Sequence, residues 1–594
     1  MGRSRAMIVL QNFLLDMKEL ALNSFFFQTE QLYTLKESQL NFHPDHSKEY
    51  QILFDGIANS FPIQTFFRHT NIREVRCRVS LFAQDAVLGI LHYDNQGKST
   101  LIEECVGIIG EYQWESSLLP LDIDDGRYTF FIRAKGAVRF FKAEWLAEEK
   151  EVKSPRFLVS IPAYKRNASV LSIVSDFCQY NPIQKFDCLF LIIDHGHTLS
   201  GDFFPPDPRI RFISQMNFGP TGGFMRAFLY AKEVGADFII TADDDILVFP
   251  EMFYRLMILQ SLAISPLMLG TMMMTIQNPT IVSEQGARIQ PNRVRFSKAN
   301  HRNTQTLSNT SRSILYQETV CDYAAWWLSC SPVSAISILP PYFMRGDDVF
   351  EGIMAKKKGY ITIVPPHCFV WHEAFSLKAS HVRAYLSFRN DLANKYISGG
   401  PTIPIIFAWS IFRLILLCIA NFDYDLASTY IKALKQFMRS PDWINDPLTQ
   451  TNLVHTWIKE ETPPTDLSMN ISKTFMKEKQ KPRNIFFKAL RRVSYILSGA
   501  NYLNPFAKNT DIDGGLAFRY HGDFQGWGYL GYRKIAVIDP DGKGYICQRS
   551  WKYMISITLE TITLIIEFLF SQSRLLKKYQ ASNMQEESWK KAFT

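Results

Sequence analysis

The sequence has few cysteines for its length. Its 594 residues include nine cysteines, and these form neither a CxxC pair nor a spacing typical of a zinc site. Scattered thiols in apolar surroundings are typical of reduced, intracellular proteins. The cysteine pattern therefore predicts a cytoplasmic chain without a cysteine-based zinc site.

Long apolar runs are also scarce. Polar residues interrupt the N-terminal residues, which lack a clean apolar stretch, so no signal peptide is predicted. The strongly apolar stretch 405–420 has 16 residues and carries Arg413 near its centre. A spanning helix needs about 20 apolar residues, and a central arginine costs roughly 2.5–3.5 kcal/mol. We therefore predict a buried or interfacial helix there. The sequence shows no internal repeat and no low-complexity tract.

Positive charge is not concentrated on one segment strongly enough to indicate a nucleic-acid protein. The chain has 65 basic and 57 acidic residues, a formal net charge of +8, and no RNA-binding signature. This mild surplus suits an anionic substrate or an anionic membrane surface, and a basic run at 473–492 favours the latter. The 14% aromatic content suits carbohydrate contacts, although large cores explain it equally well.

The length predicts two to four domains. Residues 1–153 contain short β-rich runs and are predicted to form a β-sandwich or barrel, in which 128–134 and 138–143 form a hairpin. A charged linker at 148–155 leads into an α/β domain, residues 154–400, and residues 401–594 are predicted to be mainly helical. A second hairpin is predicted from 532–538 and 544–547.

Within the α/β domain, strands alternate with helices. Buried strands are predicted at 157–161, 189–193, 210–213 and 238–242, with helices between several of them. This order predicts a mostly parallel sheet whose ligands bind at the carboxyl ends of the strands.

The fourth of these strands ends in three adjacent carboxylates. Successive side chains of an extended chain alternate faces, so Asp243 and Asp245 point the same way, roughly 7 Å apart at Cα. Two such carboxylates can hold Mg²⁺ or Mn²⁺ together with the diphosphate of a nucleotide. The alternative for a bare acidic triplet is a solvated turn that closes the strand.

Four further groups accompany the triplet. The glycine-rich stretch 217–224 is neither a P-loop nor a GxGxxG motif, and by itself it is a strand-to-helix turn. A tryptophan pair, an acidic pair and a Trp-His pair follow at 326–327, 347–348 and 371–372. Taken singly, tryptophan pairs and histidines are usually structural, and the acidic pair suits the first turn of a helix at 349–357.

Together, in this order and spacing, the groups resemble the metal-dependent, inverting GT-A glycosyltransferases of family 2. The likeness is greatest to the galactofuranosyltransferases that build mycobacterial galactan, including the 24-residue step from Asp348 to His372. Its specific motifs lie between about residues 160 and 375. The N-terminal and C-terminal thirds match in character only. The resemblance implies a GT-A catalytic domain flanked by a β-domain and a helical region.

The resemblance also implies a role for each matching residue. Asp348 would be the catalytic base with Asp347 beside it, and His372 would join Asp243 and Asp245 in holding Mn²⁺ or Mg²⁺. If both acids of the pair are buried, their repulsion raises one pKa, which suits a base near neutral pH. The implied substrate-binding residues are Pro162, Arg166, Asp194, Asn217, Gly222, Gly223 and Asp244 on the donor side, and Trp326 and Trp327 on the acceptor side.

The implied reaction moves galactofuranose from UDP-galactofuranose to a glycan or glycolipid acceptor. The chain would act on the inner face of the cell membrane as a peripheral protein, with homo-oligomers possible. Two alternatives remain: a related transferase with another UDP-sugar, and a catalytically inactive glycan-binding protein. The complete acidic and histidine set argues against the inactive protein.

Overall fold

The structure is a computed structural model. It describes residues 7–15, 32–36, 39–43, 49–121, 126–148, 153–290, 292–293, 297–299, 302–303, 314–373, 380–461, 465–466, 502, 517–520, 533–538, 543–582 and 584–594. Residues 149–152 of the predicted linker and the basic run 473–492 lie outside the described residues.

The N-terminal part forms a ten-stranded sheet. Its strands are β1 (Met7–Asn12), β2 (Leu32–Lys36), β3 (Gln39–His43), β4 (Tyr50–Leu53), β5 (Phe61–Pro62), β6 (Glu74–Tyr93), β7 (Ser99–Glu115), β8 (Leu119–Pro120), β9 (Arg127–Ala134) and β10 (Val138–Glu148). The helix α1 (Ile63–His69) lies between β5 and β6. Side chains alternate between buried and more exposed along the first half of β6, as expected for a strand with one face on the core.

The predicted hairpin in this sheet is wrong in its pairing. Both strands exist, as β9 and β10, but each pairs with β6: β10 along Arg76–Ala83 and β9 along Ala86–Tyr93. The long β6 strand shifts register against β7 between Ala83 and Ala86. The turn between β9 and β10 bonds to this irregular segment, with Lys135 N–H donating to the Asp85 carbonyl over 3.2 Å.

The α/β region contains fifteen strands among the described residues. They are β11 (Arg156–Ala163), β12 (Asp187–Asp194), β13 (Ile210–Ser214), β14 (Phe238–Ala242), β15 (Ile246–Leu247), β16 (Met268–Leu269), β17 (Met272–Thr275), β18 (Asn278–Glu284), β19 (Ala287–Ile289), β20 (Ser297–Ala299), β21 (Arg302–Asn303), β22 (Thr319–Cys321), β23 (Leu328–Pro332), β24 (Thr362–Val364) and β25 (Phe369–His372). The helices are α2 (Asn167–Gln179), α3 (Gly219–Glu233), α4 (Pro250–Leu262) and α5 (Asp347–Lys357).

The main sheet of this region has eight strands in the order β13-β12-β11-β14-β23-β16-β24-β22. The pairs β13-β12, β12-β11, β11-β14 and β16-β24 are parallel, and the other three are antiparallel. The predicted α/β architecture is therefore observed, with a mixed sheet in which four of the seven strand pairs are parallel. A second sheet, β15-β25-β17-β18-β21, lies beside it, and β19 pairs with β20.

The remaining part is mainly helical among the described residues. The helices are α6 (His381–Ser398), α7 (Pro404–Ala420), α8 (Tyr424–Arg439), α9 (Pro447–Glu460), α10 (Trp551–Ala581) and α11 (Glu586–Ala592). A four-stranded sheet consists of β26 (Thr465–Asp466), β27 (Ala517–Tyr520), β28 (Lys534–Ile538) and β29 (Lys543–Gln548). The antiparallel pairing of β28 with β29 confirms the second predicted hairpin.

Two helices of this part are strongly apolar. The stretch predicted to be a buried or interfacial helix is α7, which buries residues such as Phe407, Ile411 and Ile415. By length and composition α10 could cross a membrane, and 28% of its most apolar window is buried.

The hydrophobic core is continuous between the N-terminal sheet and the eight-stranded sheet. One cluster of buried side chains runs from Leu10 to Trp371. A buried polar network joins the same layers: Glu251 on α4 accepts hydrogen bonds from Asn12 N–H over 2.7 Å and from Arg255 over 3.0 Å. Arg255 in turn donates to the Asn12 carbonyl over 2.7 Å. The predicted boundary at residue 153 is therefore not a break in the core, and the domain limits stay predictions.

Candidate functional site

Asp243, Asp245 and His372 lie together at the carboxyl end of β14. One ligand atom from each residue lies within 4.8 Å of the others. The His372 Nε2 atom is 3.0 Å from Asp245 Oδ1 and 3.5 Å from Asp243 Oδ2. The structure thus brings together the two acids of the triplet and the distant histidine that the motif pattern associated with them.

Strand pairing explains this convergence. The parallel strand β14 ends at Ala242, and the chain turns through the acidic triplet into β15. The antiparallel pairing of β15 with β25 sets Ile246 opposite His372. The second sheet therefore positions His372 beside the carboxyl end of β14 in the first sheet.

The orientation of His372 suits a metal ligand. Its Nδ1 atom lies 2.6 Å from the carbonyl of Glu373, and an N–H donated there leaves Nε2 facing the carboxylates. Burial alone would lower the pKa of His372, but Asp243 and Asp245 outweigh it and raise the pKa to about 9. Two carboxylates and an imidazole fit Mn²⁺, since manganese accepts oxygen ligands and the imidazole nitrogen. The donor set therefore fits a divalent cation.

Asp244 and Arg166 lie beside this cluster. Asp244 Oδ2 accepts a hydrogen bond from the Tyr164 N–H over 2.7 Å. Burial and the charges of Asp245 and Asp243 raise the pKa of Asp244 to about 7 despite that bond. Arg166 pairs with Glu373 over 2.8 Å and lies within electrostatic reach of the triplet. The cluster thus has an adjacent cation that suits a diphosphate.

The acidic pair occupies the first turn of α5, as predicted. Asp347 Oδ2 accepts a hydrogen bond from the Thr221 hydroxyl over 2.8 Å, and Asp348 Oδ1 accepts from the Val349 N–H over 2.8 Å. Burial raises the pKa of Asp347. Burial and then the charge of Asp347 raise the pKa of Asp348 well above its usual range. Asp347 also interacts electrostatically with Asp243, so the pair lies near the metal-type cluster.

A strained loop precedes this pair. Phe343, Arg345 and Gly346 all have positive φ angles, of 66°, 69° and 90°. The side-chain amide of Asn390 donates to the carbonyls of Tyr342, Met344 and Arg345, over 3.4, 3.0 and 2.8 Å. The role of this asparagine was not predicted from the sequence. Asn390 contacts Arg345 across 45 residues of chain, and no local sequence pattern indicates such a contact.

Asn394, one turn further along α6, holds the same loop. Its amide donates to the Gly346 carbonyl over 2.7 Å, and its side-chain oxygen accepts from the Tyr342 hydroxyl over 2.6 Å. Arg383, also on α6, interacts with both Arg345 and Asp245, and burial lowers its pKa to about 10. Helix α6 thus interacts with both the loop before the acidic pair and the metal-type cluster.

The glycine-rich stretch forms the turn into α3. The Asn217 side-chain oxygen accepts from the Gly219 N–H over 2.8 Å. A Cβ atom at Gly222 would lie 2.1 Å from Phe218 Cβ, and one at Gly223 would lie 2.5 Å from Pro162 Cβ. These glycines therefore permit close packing of α3 on its neighbours, and their contact with a donor stays a prediction.

Asp194 ends β12 and is fully buried. Its carboxylate accepts hydrogen bonds from the N–H groups of Gly196, Thr198 and Leu199 over 2.8, 2.8 and 2.9 Å. In the structure Asp194 therefore shapes the loop after β12. A direct contact with a nucleotide stays a prediction.

The tryptophan pair lies between the two acidic groups, with both rings buried. Trp326 packs edge-on against Phe224 and Phe228 and lines a small pocket together with Asp348. Trp327 donates from its indole N–H to the Thr271 carbonyl, and its ring centroid is 6.4 Å from that of His372. The pair thus touches both groups, and a role as a wall for the acceptor stays a prediction.

No protein-family model matches the chain. Among curated proteins, galactofuranosyltransferase GlfT2 of Mycobacterium tuberculosis is 24% identical over 423 residues, which covers 67% of this chain and 66% of that protein. GlfT2 of Mycolicibacterium smegmatis is 24% identical over 428 residues, covering 66% and 65%. The chain thus spans slightly less than two thirds of the length of these relatives. The resemblance to galactofuranosyltransferases that the motifs indicated is confirmed.

Solved structures are similar only at a low level. GalNAc-T7 with UDP, GalNAc and Mn²⁺ aligns with a TM-score of 0.31 and 10% identity, covering 43% of this chain and 49% of that chain. Residues 1–349 of S. aureus TarS align with a TM-score of 0.27 and 11% identity, covering 51% and 87%. These alignments are too loose to establish a shared fold.

Proposed function

We propose that this chain is an inverting, metal-dependent glycosyltransferase with a GT-A catalytic domain. It would transfer galactofuranose from UDP-galactofuranose to a lipid-linked glycan in the synthesis of a cell-envelope polysaccharide. The observation that carries this proposal is the cluster of Asp243, Asp245 and His372 within 4.8 Å, at the carboxyl end of a parallel strand. The sequence similarity to galactofuranosyltransferases supports the donor and acceptor classes.

The donor side of the site would hold the nucleotide diphosphate. Asp243, Asp245 and His372 would bind Mn²⁺ or Mg²⁺, which when bound supplies electrostatic stabilisation for a departing diphosphate. Arg166, beside the cluster, adds a guanidinium that suits phosphate oxygens. Because Glu373 pairs with Arg166 and its carbonyl lies 2.6 Å from His372 Nδ1, it would hold both residues in place.

The acceptor side would need a base that stays separate from the metal. Asp348 fits because it is not part of the three-residue cluster and its pKa is raised by burial. In an inverting transfer its carboxylate takes the proton of the acceptor hydroxyl as that oxygen forms a bond to the anomeric carbon. The bond from that carbon to the diphosphate breaks at the same time, and UDP leaves with the electron pair.

The function can be tested with the purified full chain. Hydrolysis of a panel of UDP-sugars with Mn²⁺ should be fastest for UDP-galactofuranose, and a synthetic lipid-linked galactoside should turn hydrolysis into transfer. Faster hydrolysis of a UDP-pyranose would indicate that the chain is a related transferase that uses another UDP-sugar. Metal-dependent UDP binding without any turnover would favour an inactive glycan-binding protein.

A peripheral position on the inner face of the cell membrane is part of the proposal. Helices α7 and α10 expose large apolar side chains, including Ile405, Trp409, Leu559 and Phe570. Exposed apolar side chains that form a continuous patch would suit an interaction site. Amphipathic helices bind the interfacial region of a bilayer in this way.

A further inference from the structure

The last helix of the chain packs on the start of α3. Trp589 on α11 is buried, and its indole N–H donates to the Leu339 carbonyl over 2.7 Å. The Trp589 ring lies edge-on to the Phe218 ring, with centroids 6.2 Å apart. The Phe593 ring also lies edge-on to the Phe218 ring, with centroids 5.3 Å apart. A Cβ atom at Gly222 would come within 3.5 Å of Trp589. Two aromatic rings from the chain terminus therefore enclose Phe218.

Polar contacts extend this packing along α3. Glu586 pairs with Lys232 over 3.0 Å, and the guanidinium of Arg226 lies 5.2 Å above the ring of Phe593. The ion pair is partly exposed and contributes little by itself. Together with the contact of Trp589 at the start of α3, it shows that α11 contacts α3 at both ends of the latter helix.

A second element from the C-terminal part reaches the same turn. His455 on α9 lies with its Nε2 atom 2.7 Å from the carbonyl of Asn217, so this nitrogen donates the hydrogen bond. The His455 ring also meets Phe343 edge-on, with centroids 5.4 Å apart. The carbonyl of Phe343 accepts from the Thr221 N–H over 3.2 Å. His455 therefore touches both the glycine-rich turn and the loop that precedes the acidic pair.

The turn contains several residues with unusual backbone freedom. Gly219 has a φ angle of 69° and no side chain, and the first turn of α3 contains two further glycines. Such a segment loses much conformational entropy when it becomes ordered on binding a ligand. Contacts that order it beforehand reduce this cost and so raise affinity.

We propose that His455 and α11 form a clamp that positions residues 217–223 for the nucleotide donor. His455 and Trp589 are positioning residues, which touch the turn and act through it. This inference rests on the proposed function, because it takes the turn to lie along a UDP-sugar. It goes further by giving the C-terminal part a role in donor affinity, separate from any contact with a membrane.

The test compares matched variants of the full chain. His455→Ala removes the hydrogen bond to Asn217, and His455→Gln keeps an N–H donor at a similar position. Trp589→Ala empties the space beside Phe218, and Trp589→Phe keeps an aromatic ring there. Glu587→Ala is the control, because Glu587 is exposed on the same helix. Thermal melting identifies any variant that has lost its fold.

Three measurements are made on each variant: the Kd of UDP with Mn²⁺ by calorimetry, the KM and kcat for UDP-galactofuranose, and hydrogen exchange of the amides of residues 217–224. For both alanine variants we expect Kd and KM to rise about tenfold, the effect of losing one or two hydrogen bonds or their equivalent. The turnover number kcat should stay within about twofold, because the groups that carry out the transfer are intact. The glutamine and phenylalanine variants should recover most of the affinity.

The outcomes separate this inference from the proposed function. If the wild type binds UDP and both alanine variants bind it equally well, the clamp is wrong and the proposed function stands. If the wild type binds no UDP, the proposed function and the donor role of the clamp both fail, and hydrogen exchange decides only whether His455 orders the turn. Exchange of residues 217–224 must then be faster in His455→Ala than in Glu587→Ala, and equal exchange overturns the inference.

Discussion

The hydroxyl of Thr221 donates a hydrogen bond to Asp347 Oδ2 over 2.8 Å, and both residues are buried. Thr221 belongs to the first turn of α3 and Asp347 to the first turn of α5. This bond therefore joins the glycine-rich turn to the acidic pair. It also distinguishes the two acids, because Thr221 engages the carboxylate of Asp347.

Replacing each acid by its amide should separate their roles. Asp348→Asn should lower kcat by about 10²- to 10⁴-fold, the usual contribution of a general base. Asp347→Asn should change KM at least as much as kcat, because it alters the contact with Thr221. Steady-state kinetics measures both, with UDP affinity as the control for an intact metal cluster. If Asp347→Asn lowers kcat and Asp348→Asn changes mainly KM, the two roles are exchanged. If kcat of both variants stays within about tenfold of the wild type, the base lies elsewhere.

The pH dependence of kcat/KM should show the raised pKa values of this pair. A base whose pKa is raised becomes protonated, and inactive, at a higher pH than an ordinary aspartate, so the acidic limb should lie above pH 3.8. The charge of Asp347 contributes to that shift, and Asp347→Asn should therefore move the limb to lower pH. Profiles are measured at saturating Mn²⁺, so that metal loss does not imitate the limb. If the acidic limb of kcat/KM stays at the same pH in Asp347→Asn, the assignment of Asp348 as the general base is contradicted.

Loss of a cluster carboxylate should remove the response to metal. Asp243→Ala and Asp245→Ala should abolish transfer and weaken UDP binding only when Mn²⁺ is present. His372→Ala should act in the same direction but less completely, since two oxygen ligands remain. Calorimetry with and without Mn²⁺ measures the effect. A variant whose UDP affinity still responds fully to Mn²⁺ would show that the metal binds elsewhere.

Asn390 should be needed for both stability and turnover. Asn390→Ala removes the donor to three carbonyls, one buried and two partly buried, of a loop with two left-handed non-glycine residues. We expect a loss of about 1–3 kcal/mol in the free energy of unfolding, with reduced kcat because the acidic pair follows this loop. Denaturant unfolding and kinetics measure the two effects. Asn452→Ala, at an exposed asparagine on α9, is the control, and equal behaviour of both variants would refute this role.

Membrane attachment should be sensitive to salt. Basic residues attract anionic lipid at roughly 1 kcal/mol each near the surface, and salt screens this attraction. Most of the bound protein should therefore dissociate from anionic vesicles at high salt, and the protein should bind poorly to neutral vesicles. Sedimentation with vesicles of each composition measures this. Release only by detergent would indicate that α10 inserts across the bilayer.

The sequence predicted those features that depend on local pattern. The strands that became β11, β12, β13 and β14 are apolar runs with polar residues at their ends, and the structure has them at nearly the predicted bounds. The acidic triplet and His372 were associated through family spacing, and the pairing of β15 with β25 supplies the physical reason. Asn390 and Thr221 were missed because their partners are 45 and 126 residues away. The predicted pairing of β9 with β10 was wrong because β6 lies between the two strands in the sheet and pairs with both.

The buried network of Asn12, Glu251 and Arg255 makes the first strand of the chain a support of the α/β region. Removing the N-terminal sheet would leave the ion pair of Glu251 and Arg255 on α4 without the Asn12 N–H and carbonyl that now bond to it. It would also expose one side of a core that the two sheets share. We therefore expect that the α/β region does not fold without the N-terminal sheet, and that both layers melt in one cooperative transition.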